Sequence, residues 1–158
     1  MTGVDEYIDE VYLMSIRPKY ASAIFAGKKK YELRKLSGMP PLAEGAIVVV
    51  YSSGNVKSII GEFRVGEVII DAPERIWAVV SAPGTGIRGD AWQYIRGARR
   101  AMALRVVEPR LYPRPITLEE IRRIIPGWMP PFSYKRIGPG DRLYELVLKR
   151  VWRSIGSD

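Results

Sequence analysis

One stretch constrains the fold more than any other: Ala46, Ile47, Val48, Val49, Val50 and Tyr51 are all apolar, with none of the alternation of a half-exposed strand. Such a run is a strand buried on both faces, so the sheet that holds it must be covered on both sides. Ser52, Ser53, Gly54 and Asn55 end it. Val11 to Arg17 reads as a first strand, which Pro18 closes because it cannot donate to a ladder, and Tyr31 to Lys35 as a second. Ser58 to Ile70 reads as a strand pair or one long bent strand, with Gly61 and Gly66 where a bulge or close backbone approach is needed. Met102 to Glu108 returns as a strand.

Helical spacing falls between these strands. Tyr20, Ala23 and Ile24 share a face in a helix that Gly27 would cap. Asp71 with Pro73 predicts a helix over residues 73 to 80, and Asp90 one over residues 91 to 96 closed by Gly97. Thr117 and Glu120 form a capping box before Ile121, Ile124 and Ile125. Residues 126 to 140 read as a Pro- and Gly-rich loop, after which Asp141 would cap a helix reaching Trp152. Short strands and helices without regular βαβ alternation predict an α+β domain around a bent or barrel-like sheet. The 158 residues suffice for one core, expected over residues 11 to 153 behind an acidic tail at residues 1 to 10.

Composition narrows the chemistry. There is no Cys and no His, which excludes disulfides, zinc fingers, thiol nucleophiles and any Ser-His-Asp triad. The acidic residues show no metal-ligand pattern, and no cofactor is called for. No run approaches the roughly 20 apolar residues of a membrane span, and Asp5, Glu6, Asp9 and Glu10 are unlike a signal peptide, so a cytoplasmic protein with no membrane partner is expected. One Asn, one Gln and 17 Arg against 8 Lys resemble a heat-adapted composition.

A net charge of +8 favours a polyanionic partner, nucleic acid first. The charge is uneven: residues 17 to 35 hold seven cations and one acid, and residues 88 to 114 hold seven cations and two acids. If the two blocks converge they make a phosphate-attracting groove; otherwise they are solvated surface. Aromatics lie among the cations, as single-stranded recognition requires: Trp92 and Tyr94 with Arg96, Arg99 and Arg100, then Trp128, Phe132 and Tyr134 with Lys135 and Arg136. Trp92, Tyr94 and Tyr134 fit a core role equally well. Gly84, Gly86 and Gly89 lack the Lys-Ser/Thr ending of a phosphate loop, and a flexible lid is the better expectation there.

The most informative residues are Gly27, Lys29, Glu32 and Arg34, which follow Ser15-Ile16-Arg17-Pro18-Lys19-Tyr20. This Gly-x-Lys-x-x-Glu-x-Arg pattern resembles the signature of ASCH domains, a branch of the PUA-like superfamily. The resemblance continues through Ala46 to Tyr51, Gly61, Tyr94 to Gly97, Tyr112 to Ile116 and Pro131 to Arg136, roughly residues 11 to 150. It implies a pseudo-barrel surrounded by short helices, with a cleft beside the first helix and RNA, single-stranded nucleic acid or a nucleoside-like small molecule as partner. The residues expected at that cleft are Arg17, Lys19, Tyr20, Lys29, Glu32, Arg34, Tyr51, Ser52, Trp92, Arg96, Arg99, Arg100, Ser133, Tyr134 and Lys135. Chemically, Lys29 can meet a phosphate, Glu32 can accept from a base, and Arg34 can orient Glu32 or fork onto phosphate. The same three groups also suit an ion-pair cluster that only ties helix to strand.

Some ASCH-like proteins hydrolyse an acylated cytidine nucleoside with a Lys, a Thr and a Glu. This chain keeps the Lys as Lys29 but has Glu32 where that Thr is expected, so a hydroxyl nucleophile is missing there. Lys29, with Glu32 or Glu62 as proton carrier, is the catalytic set left for an amidohydrolase or ribonuclease. The preferred expectation is a non-catalytic RNA-binding or modified-base-binding domain acting in regulation of translation or transcription. A protein-interaction module is the third class, with residues 5 to 10 docking to a partner or shielding the cleft.

Overall fold

The computed structural model describes residues 10–153. Six strands form one sheet in the order β2-β5-β4-β3-β1-β6, curled into a half-barrel. They are β1 (Val11–Ile16), β2 (Tyr31–Lys35), β3 (Ile47–Ser52), β4 (Ser58–Asp71), β5 (Ala101–Thr117) and β6 (Tyr134–Ile137). Around them lie α1 (Pro18–Phe25), α2 (Pro73–Val80), α3 (Gly89–Ile95), α4 (Leu118–Ile124) and α5 (Arg142–Val147), the last continuing as a π-helical turn over Leu148–Trp152. No helix among the described residues is long and apolar enough to cross a membrane. The acidic segment expected at residues 1 to 10 lies, apart from Glu10, outside the described residues.

The continuous apolar run is buried on both faces, as its composition requires. Ile47, Val49 and Tyr51 join Val11 and Leu13 in an outer core under α4, α5 and the π turn. Val48 and Val50 join Met14, Ile16, Phe63, Met102 and Leu104 in the inner core, with Ala21 and Ile24 of α1. A third cluster seats α2 and α3 on Tyr31, Leu33, Ala101 and Ala103. β1 runs parallel to β3, and every other pairing is antiparallel. A parallel pair needs a crossover, and here α1 and β2 lie on it.

β4 is one long strand whose register against β5 shifts three times, which bends it. Both glycines sit at close approaches: a Cβ on Gly61 would lie 2.5 Å from the Arg110 carbonyl oxygen, and one on Gly66 would lie 2.8 Å from Val107 Cγ2.

Several local expectations are corrected. β5 does not stop at Glu108 but runs to Thr117 through three prolines. Beyond Arg105 it has no β2 partner, so that side of the strand is free of a ladder and tolerates residues without an N–H. β6 lies inside the segment read as loop, short and flanked by Pro and Gly. Asp71 is not the cap of α2: Ala72 holds that position, and Asp71 Oδ1 accepts from the Ala72 N–H at 2.7 Å. Asp90 lies inside the first turn of α3, behind an Arg88 cap. Thr117 does cap α4, its Oγ1 accepting from Glu120 N–H at 3.1 Å.

The Gly-rich loop is a clamp rather than a lid. Lys30 N–H donates to the Thr85 carbonyl at 2.8 Å, and the buried Thr85 hydroxyl reaches the Val80 carbonyl at 2.5 Å. Gly86, in the left-handed region at φ +77°, passes so close to the Lys28 carbonyl that a Cβ there would lie 1.9 Å from its oxygen.

Candidate functional site

Gly27, at φ +74°, ends α1 and turns the chain so that Lys29 follows before β2 begins. In β2, Glu32 and Arg34 stand opposite Leu104 and Met102, so both point into the curl of the sheet. Lys29 Nζ donates to Glu32 Oε1 at 2.7 Å and to the Tyr31 carbonyl at 2.6 Å. Arg34 grips the other carboxylate oxygen, with Nε at 2.9 Å and Nη2 at 2.7 Å from Glu32 Oε2. Arg34 then spans the opening of the half-barrel. Its Nη2 donates to the Ser15 carbonyl on β1 at 2.8 Å, and its Nη1 to Ser133 Oγ, just before β6, at 3.2 Å. β2 and β6 are the two edges of the sheet, so a guanidinium closes the seam where a backbone ladder would close a full barrel.

Lys29, Glu32 and Arg34 are each less than a tenth exposed. Burial alone pushes the Glu32 carboxyl up, but the charges and hydrogen bonds of Lys29 and Arg34 outweigh it and hold it below the usual carboxylate range. Glu32 is therefore ionised, and two cations against one carboxylate leave the seam net positive. Among the described residues, the bonds in place leave Lys29 one N–H and Arg34 one without a protein acceptor.

Tyr20 of α1 walls the Lys29 end, with the ammonium 5.8 Å from its ring centre. Its hydroxyl donates to Asp90 Oδ2 at 2.5 Å, and Lys19 Nζ lies 3.6 Å from the same oxygen. That hydrogen bond, with burial adding to it, pushes the Tyr20 hydroxyl up; the same bond holds Asp90 down. At the Arg34 end, Ser15 Oγ donates to the Pro131 carbonyl at 2.7 Å.

The residues expected at the cleft thus divide. Lys29, Glu32, Arg34 and Ser133 form one bonded cluster, with Tyr20 and Lys19 beside it and Arg17 exposed at the start of α1. Lys135 is exposed on β6, opposite Leu13. Ser52 is buried between Ile16 and Ser58. Tyr51 belongs to the outer core, edge-on to Trp128 at 5.8 Å, and burial pushes its hydroxyl up. Tyr134 is buried against Tyr12 and donates to the Pro40 carbonyl at 2.8 Å. Trp92 of α3 packs on Trp77 of α2, their ring centres 5.8 Å apart. Arg96, Arg99 and Arg100 are exposed at the far end of β2, where Leu36 N–H meets the Arg100 carbonyl at 3.1 Å.

Glu62 lies apart, in the outer core. Tyr112 and Trp152 both donate to its Oε1, at 2.8 and 2.7 Å, and Arg110 Nη2 stands 3.3 Å from Oε2. It works with none of the seam residues. The parts sequence reasoning missed are Ser15, whose contribution is largely backbone, and Asp90 and Gly86, which serve the site through Tyr20 and Lys28. The repeated glycines between residues 84 and 89, which in sequence read as a flexible lid, are the one signal that could have pointed to this tight contact. Among the described residues no group of His, Cys, Asp or Glu could hold a metal ion.

Comparison with known proteins agrees with this architecture. Residues 14–83 match the model of the ASCH domain. An ASCH domain-containing ribonuclease of Zymomonas mobilis is 28% identical over 135 residues, covering 84% of this chain and 86% of that protein. The crystal structure of ASCH from Zymomonas mobilis superposes with a TM-score of 0.73 at 23% identity, over 87% of this chain and 94% of that one. The N-terminal domain of Staphylothermus marinus McrB shares the fold more distantly, with a TM-score of 0.54 at 16% identity, over 89% of this chain and 93% of that one. The pattern Gly27, Lys29, Glu32 and Arg34 thus lies within the residues that match the ASCH domain and along the seam of a half-barrel that matches ASCH structures, which is consistent with the PUA-like superfamily.

Proposed function

We propose that this domain binds RNA as a single strand across the seam, with Lys29 and Arg34 receiving a phosphate or carbonyl oxygen and the ionised Glu32 holding both cations in place. The observation that carries this reading is the buried Lys29–Glu32–Arg34 cluster, which is net positive and keeps spare donors. A buried ion cluster contributes little net stability for its desolvation cost, so anion recognition gives it a use that packing does not. The exposed Arg17, Lys19 and Lys135 supply the unspecific attraction. A regulatory role in RNA metabolism accords with binding without turnover.

RNA cleavage is the second reading, favoured by the ribonuclease name of the Zymomonas relative. Here the 2′-hydroxyl would give its proton to Glu32 and attack the adjacent phosphorus, and the bond to the 5′-oxygen would break as that oxygen takes a proton from Lys29. A 2′,3′-cyclic phosphate and a 5′-hydroxyl would result, the proton on Glu32 then returning to Lys29 along their hydrogen bond. Lys29 and Arg34 would neutralise the phosphoryl oxygens in the transition state. Glu32, held below the usual range, is a weak base, so turnover by this route is slow.

The test is binding of short single-stranded and duplex RNA and DNA at two salt concentrations, by wild type and Lys29→Gln, with a thermal melt to show that both fold. RNA-preferring binding that falls with salt and is lost in the folded variant is expected. A folded wild type that binds no RNA overturns the reading. Product with a cyclic phosphate end, absent with Lys29→Gln, would select cleavage.

A further inference from the structure

Phe132 is 105% exposed, as open as in an extended chain, yet it lies in the segment that closes the seam. A single exposed apolar side chain is ordinary on a protein surface. What sets this one apart is how its backbone is held. On one side the Pro131 carbonyl accepts from Ser15 Oγ at 2.7 Å. On the other, the Ser133 carbonyl accepts from Ser15 N–H at 3.0 Å and Ser133 Oγ accepts from Arg34 Nη1 at 3.2 Å. The ring is thus presented from a backbone pinned at both neighbours, and none of its area is buried by folding. It stands next to the residue that Arg34 bonds, while Tyr20 stands at the Lys29 end. An aromatic residue thus adjoins each end of the cluster, Tyr20 by its ring at Lys29 and Phe132 by its place in the chain next to Ser133.

We propose that Phe132 is the stacking platform for one unpaired base of an RNA strand whose backbone lies at Lys29 and Arg34. This rests on the RNA-binding reading and specifies how a base is held. A rigid, exposed phenyl ring suits a nucleobase face, because stacking needs no donor or acceptor and little is lost in ordering the ring. The neighbouring charge is positive, with Lys135 exposed three residues on. Charge of that sign matches a phosphate backbone. A platform of this kind tolerates any base but requires it to be out of a duplex, so it selects single strands without reading sequence.

The test is a double-variant cycle on the full chain: wild type and Phe132→Ala, each against a single-stranded RNA and the same RNA with one abasic position, moved along the strand. Wild type should lose affinity about fivefold to a hundredfold when the abasic position meets the ring, and Phe132→Ala should lose the same amount on intact RNA. The two losses should not add, Phe132→Trp should restore binding, and the salt dependence should stay at its wild-type slope, since no cation is removed. If wild type binds RNA and Phe132→Ala binds it equally well, the platform is overturned while the RNA reading stands. Unaltered RNA binding with altered self-association of Phe132→Ala would assign the ring to a protein contact and likewise overturn it. A wild type that binds no RNA overturns both.

Discussion

Replacing Gly86 by Ala should damage the domain far more than the same change at Gly84, two residues away in the same loop. Both glycines occupy the left-handed region, at φ +77° and φ +88°. An L residue there costs about 1–2 kcal/mol of backbone strain. At Gly84 nothing lies within 4 Å of the added Cβ, so strain is the whole effect. At Gly86 the Cβ would lie 1.9 Å from the Lys28 carbonyl oxygen and 3.1 Å from Lys29 Cα, both backbone atoms. Relief requires moving the loop or the chain leading into Lys29, and overpacking of this kind adds about 1–3 kcal/mol. The sums are then about 1–2 kcal/mol for Gly84→Ala and about 2–5 kcal/mol for Gly86→Ala. For a chain of this size each kcal/mol lowers the melting temperature by about 2–4 °C. Calorimetry of the two variants, with RNA binding measured on whatever remains folded, separates the contributions. Gly86→Ala should also weaken binding, because the displaced segment carries Lys29, whereas Gly84→Ala should not. Equal melting temperatures for the two variants would refute the idea that the loop is clamped onto Lys28.

Glu32→Gln leaves Lys29 and Arg34 buried without a counter-charge and should cost about 3–5 kcal/mol in chemical denaturation, more than Lys29→Gln, which leaves Glu32 still paired with Arg34. Because the folded-state pKa of Glu32 is depressed, its contribution is fully present above the ordinary glutamate value of about 4.3 and is lost as pH falls from there through the folded value. Denaturation midpoints in Glu32→Gln should accordingly depend less on pH across that acid window than in wild type. On the outer face, Trp152→Phe removes one of the donors to Glu62 and should destabilise by about 1–3 kcal/mol without changing RNA affinity, as binding and melts on one preparation would show.

The parts of the fold legible in the sequence were those where one local rule acted alone. The apolar run at residues 46 to 51 could only be a doubly buried strand, and the Thr117–Glu120 pair could only open a helix. Gly61 and Gly66 marked close approaches without revealing which atoms approach. β6 was hidden because its ladder partner, β1, lies more than a hundred residues earlier, and its own short stretch is outweighed by the surrounding Pro and Gly. β5 was cut short because its prolines read as breakers until the absence of β2 beyond Arg105 is known. At the site, Lys29, Glu32 and Arg34 were legible through the resemblance of their pattern to the ASCH signature. The carbonyl of Ser15 was not, since any residue offers one, and Asp90 looked like a cap because its real partner, Tyr20, is 70 residues away.

The seam also bears on how the chain reaches its native state. The Lys29–Glu32 and Glu32–Arg34 bonds are local, but Arg34 also bonds Ser15 and Ser133, and those two bonds cannot both form until β6 has docked on β1. Contacts so distant along the chain are slow to close, because loop entropy is spent before they reward it. During refolding, the far-ultraviolet signal of helices such as α5 should therefore recover ahead of the ability to capture RNA. A collapsed intermediate would hold Lys29, Glu32 and Arg34 on an unpaired edge, where water competes for every one of their hydrogen bonds. On the proposed reading, RNA binding at this seam would report that the last strand has docked, and a chain stalled one step earlier would bind none.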